Sequence, residues 1–345
     1  MPQKILIIKL GSSGDVLRTT SILSGLKNKY PDSLVTWLVN GNSKELLEGN
    51  PNIDKIVVHN DDAVNLLSQE KFDIVLSLDK ATEGTRLASS VSAEEKYGFG
   101  IDEKGGLRPL NELAEYSYRL GMDDDLKFFK NRKTYQELTY EMSGLNYRKN
   151  AYELILGSGN FDFADNFFKV NGLNGNQRVI GVNTGAGSVF ANKYLKKERI
   201  IELIRLLKKE MGAKILLLGG PSEKDINGYV MKGIGNDAID GGCENSVKDF
   251  AALINRCSAV IAADTLAMHI AIALKKPVVA LFGPTCSREI DLYGRGQKIV
   301  TTAGCAPCYK NKCNKKVTCM DKIDLNEIVR AVQACVMLQT DTVSL

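Results

Sequence analysis

The sequence predicts an α/β protein made of two Rossmann-like domains with parallel sheets, and three stretches predict it. Lys4 to Leu10 (KILIIKL) is a short apolar strand that runs into Gly11-Ser12-Ser13-Gly14-Asp15 and then an amphipathic helix from about Val16 to Tyr30. Val179 to Asn183 (VIGVN) restarts the same layout and runs into Thr184-Gly185-Ala186-Gly187-Ser188. Between Ser258 and Thr285, two β-branched runs, Ala259 to Ala263 and Val278 to Phe282, flank Asp264-Thr265 and a stretch of helix-forming Ala, Leu, Met and Ile. That order of strand, turn, helix and strand is the βαβ unit of a parallel sheet.

The composition fits this class. A chain of 345 residues suits roughly two domains, and 44% apolar with 25% charged residues is ordinary for a globular protein in water. Lys4 and Lys9 bracket only four consecutive apolar residues, so the start reads as neither a signal peptide nor a membrane span. The expected location is the cytoplasm. A net charge of +4 suits an anionic substrate or peripheral attachment to the cytoplasmic face of a membrane. No dense Lys/Arg run with interleaved aromatics argues for nucleic acid.

In the first half, Leu34 to Val39, Ile53 to His59 and Phe72 to Leu78 read as further strands, with a short helix near Ser43 to Gly49. From Lys96 onward the pattern loosens. Helical stretches are expected near Leu110 to Leu120 and Thr134 to Gly144, and Asp123-Asp124-Asp125 reads as a solvated acidic turn. Asn171 to Asn176 (NGLNGN) is rich in turn formers and begins no element, so it marks the expected boundary. The predicted division is 1–172, an N-terminal Rossmann-like domain; 173–323, a C-terminal Rossmann-like domain; and 324–345, a helix that crosses back to the first domain plus a disordered tail after Gln339.

In the second half, apolar Ile200, Leu203, Ile204, Leu207 and Met211 fall at helical spacing. Lys214 to Leu218 is a strand ending in Gly219-Gly220-Pro221-Ser222-Glu223, and Ser246 to Cys257 is another helix. Three loops therefore meet at one sheet edge: Gly185 to Lys193, Gly219 to Glu223, and Asp264 to His269. Neighbouring parallel strands lie about 5 Å apart, close enough for consecutive loops to hold one ligand. Asp264 or Thr265 is placed to cap the following helix, whose free N–H groups suit an anion, and His269 lies one turn further on.

Asp15 sits at the start of the first helix. It reads either as a helix cap or as a carboxylate facing a cleft, where it takes a proton from a hydroxyl. Lys80, Arg86 and Lys96 follow strand ends and read either as surface charges or as partners of an anionic acceptor. All eight cysteines lie after residue 242, and four form Cys305-x2-Cys308-x4-Cys313-x5-Cys319. That spacing suits a structural zinc or iron–sulfur site, and equally suits reduced thiols or a labile disulfide.

The segment from Asp264 to Thr285 resembles the nucleotide-sugar motif of the heptosyltransferases, glycosyltransferase family 9, whose pattern is Asp-Thr-Gly-x-x-His-x-Ala-x-Ala-x-x-x-Pro-x-x-Ala-x-Phe-Gly-Pro-Thr. The one departure is Leu266 in place of Gly, which narrows the room for a phosphate. The strand and Gly14-Asp15-Val16 at the start resemble the same family's N-terminal motif. The resemblance implies GT-B architecture, two Rossmann-like domains facing each other across a cleft, with residues 1–172 as the acceptor-binding domain and 173–323 as the nucleotide-sugar-binding domain, and an inverting, metal-independent transfer. It implies ADP-heptose as donor and a hydroxyl of lipopolysaccharide core, or a related lipid-linked anionic glycan, as acceptor.

By the same resemblance Asp15 is the catalytic base and Lys193 neutralises the donor phosphates. Glu223 reads the ribose or adenine end, and Asp264-Thr265 hold the diphosphate. The remaining expected donor contacts are Thr184, Gly185, Ala186, Gly187, Gly220, Leu266, Met268 and His269; the expected acceptor contacts are Ser13, Gly14, Lys80, Arg86 and Lys96. No cofactor is required for transfer on this reading. Two other classes fit the layout: a nucleotide-sugar epimerase, and a non-catalytic sugar-nucleotide or glycan-binding protein.

Overall fold

The computed structural model describes residues 1–173, 177–187 and 192–342. The chain divides into two compact units, Met1–Ile155 with Arg288–Ile290, and Leu156–Ser287 with Asp291–Leu345.

The first unit contains β1 (Lys4–Ile8), α1 (Ser13–Thr19), α2 (Ile22–Lys29), β2 (Leu34–Val39), β3 (Lys55–Val58), α3 (Asp61–Gln69), β4 (Lys71–Ser77), α4 (Thr82–Ser90), β5 (Ser92–Ile101), β6 (Leu107–Pro109), α5 (Glu115–Arg119) and α6 (Tyr135–Met142). Its sheet has the order β3-β2-β1-β4-β5-β6, parallel except for β6. β1 is central, so both of its faces are covered and it is apolar throughout its interior. Ile5 and Ile7 face Trp37, Leu23 and Leu26, whereas Leu6 and Ile8 face Leu38, Val75 and Leu87.

Two features differ from the sequence expectation. The single helix expected from Val16 to Tyr30 is two, α1 and α2, because Thr19, Thr20 and Ser21 turn their hydroxyls back onto the carbonyls of Asp15, Leu17 and Arg18. Tyr140 then donates to the Ser21 carbonyl, fixing the break. The second is β5, in the stretch that reads as loose. Its outward charges and two glycines mask the period, and Gly98 (φ 91°) passes so close to β4 that a Cβ would lie 2.0 Å from the Ser77 carbonyl oxygen.

The second unit contains α7 (Ser158–Val170), β7 (Val179–Asn183), α8 (Lys197–Met211), β8 (Lys214–Leu218), α9 (Lys224–Ile234), β9 (Ile239–Asp240), α10 (Val247–Arg256), β10 (Ala259–Ala263), α11 (Leu266–Ala273), β11 (Val278–Phe282), β12 (Gly296–Val300) and α12 (Leu325–Thr342). Its sheet is wholly parallel, in the order β12-β11-β10-β7-β8-β9.

The unit boundary falls between Ile155 and Leu156, earlier than the Asn171–Asn176 turn. The reason is α7, which packs on α10: Asn160 donates to Asp249 (2.9 Å), Arg256 pairs with Asp165, and the same arginine lies over the Phe168 ring. Asn174, Gly175 and Asn176 lie outside the described residues. The last helix also differs from expectation. α12 does not join the first unit; its stripe of Ile328, Val329, Val332, Cys335 and Val336 is buried in the second unit's core with Leu203, Leu207 and Val279. The helix runs on to Thr342, and the rest of the expected tail lies outside the described residues. The late segment that does belong to the first unit is Arg288–Ile290.

Strand order reverses beside β1 and β4 in one unit, and beside β7 and β10 in the other. At such switch points the adjacent loops diverge above the carboxyl edge and leave a crevice.

Candidate functional site

In the second unit the switch-point crevice is bordered by the turn after β7 and by the start of α11. The glycine turn is held by Glu223, which is 7% exposed. The backbone N–H of Gly187 donates to Glu223 Oε1 (3.0 Å) and that of Gly220 to Oε2 (2.9 Å). A Cβ at Gly185 would stand 2.3 Å from Glu223 Cγ, so glycine lets the turn close over the carboxylate. Glu223 thus ties two of the three predicted loops together. Thr184 is fully buried, and its hydroxyl donates to Asn227 Oδ1 (2.5 Å), so its side chain braces the turn from beneath.

The third loop joins through Thr265, whose hydroxyl donates to Asn183 Oδ1 (3.1 Å), while Asn183 donates to the Leu218 carbonyl (3.2 Å). Thr265 is the N-cap of α11 by its extended backbone, although its side chain makes no capping hydrogen bond. Lys193 Nζ lies 3.6 Å from Asp264 Oδ2 and 3.4 Å from the Asp264 carbonyl oxygen. His269 Nε2 lies 3.7 Å from Asp264 Oδ1, and the imidazole is 5% exposed. An ammonium, backbone N–H groups and the positive end of a helix therefore meet at one place, a combination that suits a diphosphate. Leu266 takes the first helical position and is half-buried; Met268 is fully buried, so its side chain belongs to the core. Ser188, within the predicted loop, lies outside the described residues, as do 189–191.

In the first unit the first turn of α1 carries Ser13 and Asp15, and the loop after β4 carries Asp79 and Lys80. Ser12 caps α1, and its hydroxyl donates to Asp15 Oδ2 (3.0 Å). Arg18 Nη2 lies 2.7 Å from Asp15 Oδ1. Ser13 Oγ lies 2.8 Å from Ser43 Oγ, and Gly14 is buried. Four residues that sequence reasoning missed complete the cluster. A Cβ at Gly11 would stand 3.4 to 3.5 Å from Asp79 Oδ2, Asp15 Oδ2 and Lys9 Nζ, which marks their convergence. Arg18 and Lys9 both lie over the Tyr135 ring, at 3.6 Å and 5.9 Å from its centroid. Lys9 is legible in hindsight, as a charge ending an otherwise apolar strand.

The electrostatics reflect this crowding. Burial pulls the Lys9 ammonium down, but Tyr135, Asp15 and Asp79 more than offset it, and its pKa stands above the ordinary lysine value. Arg18 is likewise raised, against its burial, by Asp15, Tyr135 and Glu289. Lys80 goes the other way: burial, then repulsion from Lys127, pushes it down to about 8. Its Nζ donates to the Ser117 carbonyl (2.9 Å).

The structure does not bring the other predicted acceptor residues to this cluster. Lys96 pairs level with Val75, inside the sheet, and donates to the Ser89 carbonyl (2.9 Å). Arg86 lies on the exposed side of α4. Asp123 accepts from the Leu126 N–H (2.9 Å) and Asp125 pairs with Lys130, in an exposed acidic turn.

The four-cysteine loop fits a metal poorly. Cys305 is exposed, Cys308 and Cys313 are half-buried and Cys319 is buried, and among the described residues no three His, Cys, Asp or Glu side chains are grouped to hold an ion. Lys315 holds the Cys305 thiol below its ordinary pKa, whereas burial raises that of Cys319.

Comparisons with known proteins agree with this fold. The family profile described as glycosyltransferase family 9 (heptosyltransferase) matches residues 64–318. Lipopolysaccharide heptosyltransferase 1 of Campylobacter coli is 21% identical over 96% of this chain and 98% of its own. Among solved structures, the glycosyl transferase family 9 protein from Veillonella parvula DSM 2008 is similar with a TM-score of 0.79, 19% identity and 97% coverage of both chains. E. coli heptosyltransferase WaaC with ADP has a TM-score of 0.62 and 18% identity, covering 97% of this chain and 99% of that one. The fold is that of the GT-B glycosyltransferases, and the protein is an enzyme of that class. Within the class, the chain belongs to glycosyltransferase family 9. Asp15 lies before the matched residues.

Proposed function

We propose that the protein transfers a heptose from ADP-heptose to a hydroxyl of lipopolysaccharide core or a related anionic, lipid-linked glycan, with inversion at the anomeric carbon. The observation that carries this reading is the grouping of Lys193, Asp264 and the start of α11 beside the glycine turn that Glu223 clamps. ADP-heptose and the lipopolysaccharide acceptor come from the relatives' names and from the family.

The chemistry follows from the two sites. Asp15 accepts the proton of the acceptor hydroxyl as that oxygen attacks the anomeric carbon from the face opposite the nucleotide. The C–O bond to the diphosphate breaks with its electron pair moving to the phosphate oxygen. The transition state is oxocarbenium-like, as in glycosidases. Lys193 and the N–H groups of α11 stabilise the charge that develops on the leaving diphosphate, without any need for a metal in the scheme. Thr265 positions that helix end through Asn183. Among the described residues no helix is long and apolar enough to cross a membrane. Contact with a lipid-linked acceptor is proposed as peripheral, from the cytoplasmic side.

The test is thermal stabilisation by ADP, UDP, GDP, dTDP and NAD at one concentration, followed by transfer assays on Asp15→Asn. ADP should stabilise most, by about 2.7 kcal/mol at one hundred times its dissociation constant. Ser12 rather than Asp15 caps α1, and an Asn carbonyl can still accept from the Ser12 hydroxyl, so the variant should fold and bind ADP while losing transfer. A preference for UDP or dTDP would remove the heptose assignment, and an active Asp15→Asn enzyme would remove the base.

A further inference from the structure

The arginine one turn after Asp15 is held in an arrangement that its ion pair alone does not require. We propose that Arg18 binds an oxyanion of the acceptor, a carboxylate or a phosphate, and so sets the acceptor hydroxyl in register with Asp15 while leaving that carboxylate a stronger base once the anion is bound. The proposal rests on Asp15 being the base, and it deepens the acceptor side of that reading.

Four observations carry it. Arg18 Nη2 lies 2.7 Å from Asp15 Oδ1, so whatever holds the guanidinium also holds the carboxylate. The guanidinium carbon lies 3.6 Å from the Tyr135 ring centroid, which fixes the plane of the fork. Tyr135 is itself fixed at both ends, its hydroxyl 2.7 Å from Thr19 Oγ1 and its backbone N–H donating to the Glu289 carbonyl (2.9 Å). Finally, Arg18 Nε is buried without a hydrogen-bond partner among the described residues, although the side chain as a whole keeps 15% exposure. A desolvated guanidinium N–H with no acceptor is costly, and an oxyanion that takes Nε while sharing the Nη2 end of that edge with Asp15 is the group that satisfies it.

The charge coupling follows. A carboxylate beside a guanidinium gives up some of its affinity for a proton. When a second anion shares that guanidinium, part of the affinity returns, so the base strengthens only when the correct acceptor is seated. The groups facing Arg18 are Asp15 on its own helix, Tyr135 on α6, Glu289 from the Arg288–Ile290 segment, and Tyr152. Lys9, on the loop after β1, faces it with like charge.

The experiment follows the Asp15 carboxyl by carbon NMR as a function of pH in the full chain, with and without inorganic phosphate, in wild type, Arg18→Gln and Arg18→Lys. In wild type, phosphate should move the Asp15 midpoint upward and shift the Arg18 Nε resonance. Arg18→Gln should raise the midpoint by about one to three pH units without any anion, and phosphate should then change nothing. Arg18→Lys should leave the Asp15 midpoint near its wild-type position but lose the phosphate response, because an ammonium lacks the fork. A phosphate response that persists in Arg18→Gln, or none in wild type, overturns the proposal. Repeating the titration with acetate separates the two oxyanions: the one giving the larger response is the acceptor's group. Transfer by Asp15→Asn, measured separately, decides the base reading, so the two failures are distinguishable.

Discussion

Glu223 shows how much one side chain can organise. The resemblance to family 9 assigns it to the nucleotide's ribose or adenine end, yet both carboxylate oxygens already accept backbone N–H groups from two different glycine loops. The two roles are compatible, since each oxygen keeps a further lone pair. Glu223→Gln replaces one acceptor with an NH2 group that faces an N–H. Equilibrium unfolding in urea should show a loss of about 1–3 kcal/mol, and ADP binding should weaken as the turn loosens. An unchanged midpoint would mean that the clamp contributes nothing to the fold. Arg18 and Lys9 teach the converse lesson, since neither stands out in a motif, and each matters because of what the fold places beside it.

Among the elements, α12 is the informative case. Its apolar stripe predicts a buried face but cannot say which surface buries it, and the face that receives it is the second unit's own sheet and α8. Ile328 is fully buried there, so Ile328→Ala should cost about 2–5 kcal/mol through lost burial and the cavity left behind. Chemical denaturation should show that loss together with faster exchange of amides in β10 to β12. If exchange quickened only in the first unit, the placement of α12 would be wrong. The break between α1 and α2 is also an element-scale fact. Three consecutive hydroxyl residues offer the backbone another set of hydrogen bonds, and this competition sets the direction of the helix that carries Asp15 and Arg18.

At the scale of the molecule, the two sheets repeat one plan, and each collects its charged residues on the loops beside its switch point. One unit groups Lys193, Asp264 and a helix start; the other groups Lys9, Asp15, Arg18 and Asp79. If the second unit binds the nucleotide, ADP should slow amide hydrogen exchange at Gly185 to Gly187 and at the first turn of α11, leaving the turn between β1 and α1 unchanged. Protection confined to the first unit would reverse the assignment of donor and acceptor sides.

The sequence by itself determined the class, most of the second unit's strands to the residue, and the positions of Asp15, Glu223, Asp264 and Thr265. These are legible because strand period, glycine turns and motif spacing are local properties of the chain. Tertiary structure alone decided the rest. It divided the chain at Ile155, gave α12 its partner, turned β5 into a strand, returned Arg288–Ile290 to the first unit, and gathered Lys9, Asp79, Arg18 and Tyr135 around Asp15. Lys96 went the other way, into the body of a strand, because register with Val75 rather than position after an apolar run sets its height in the sheet. The physical reason is common to all of them: a side chain's charge, burial and partners depend on residues far away in sequence, and only packing fixes which of those come near.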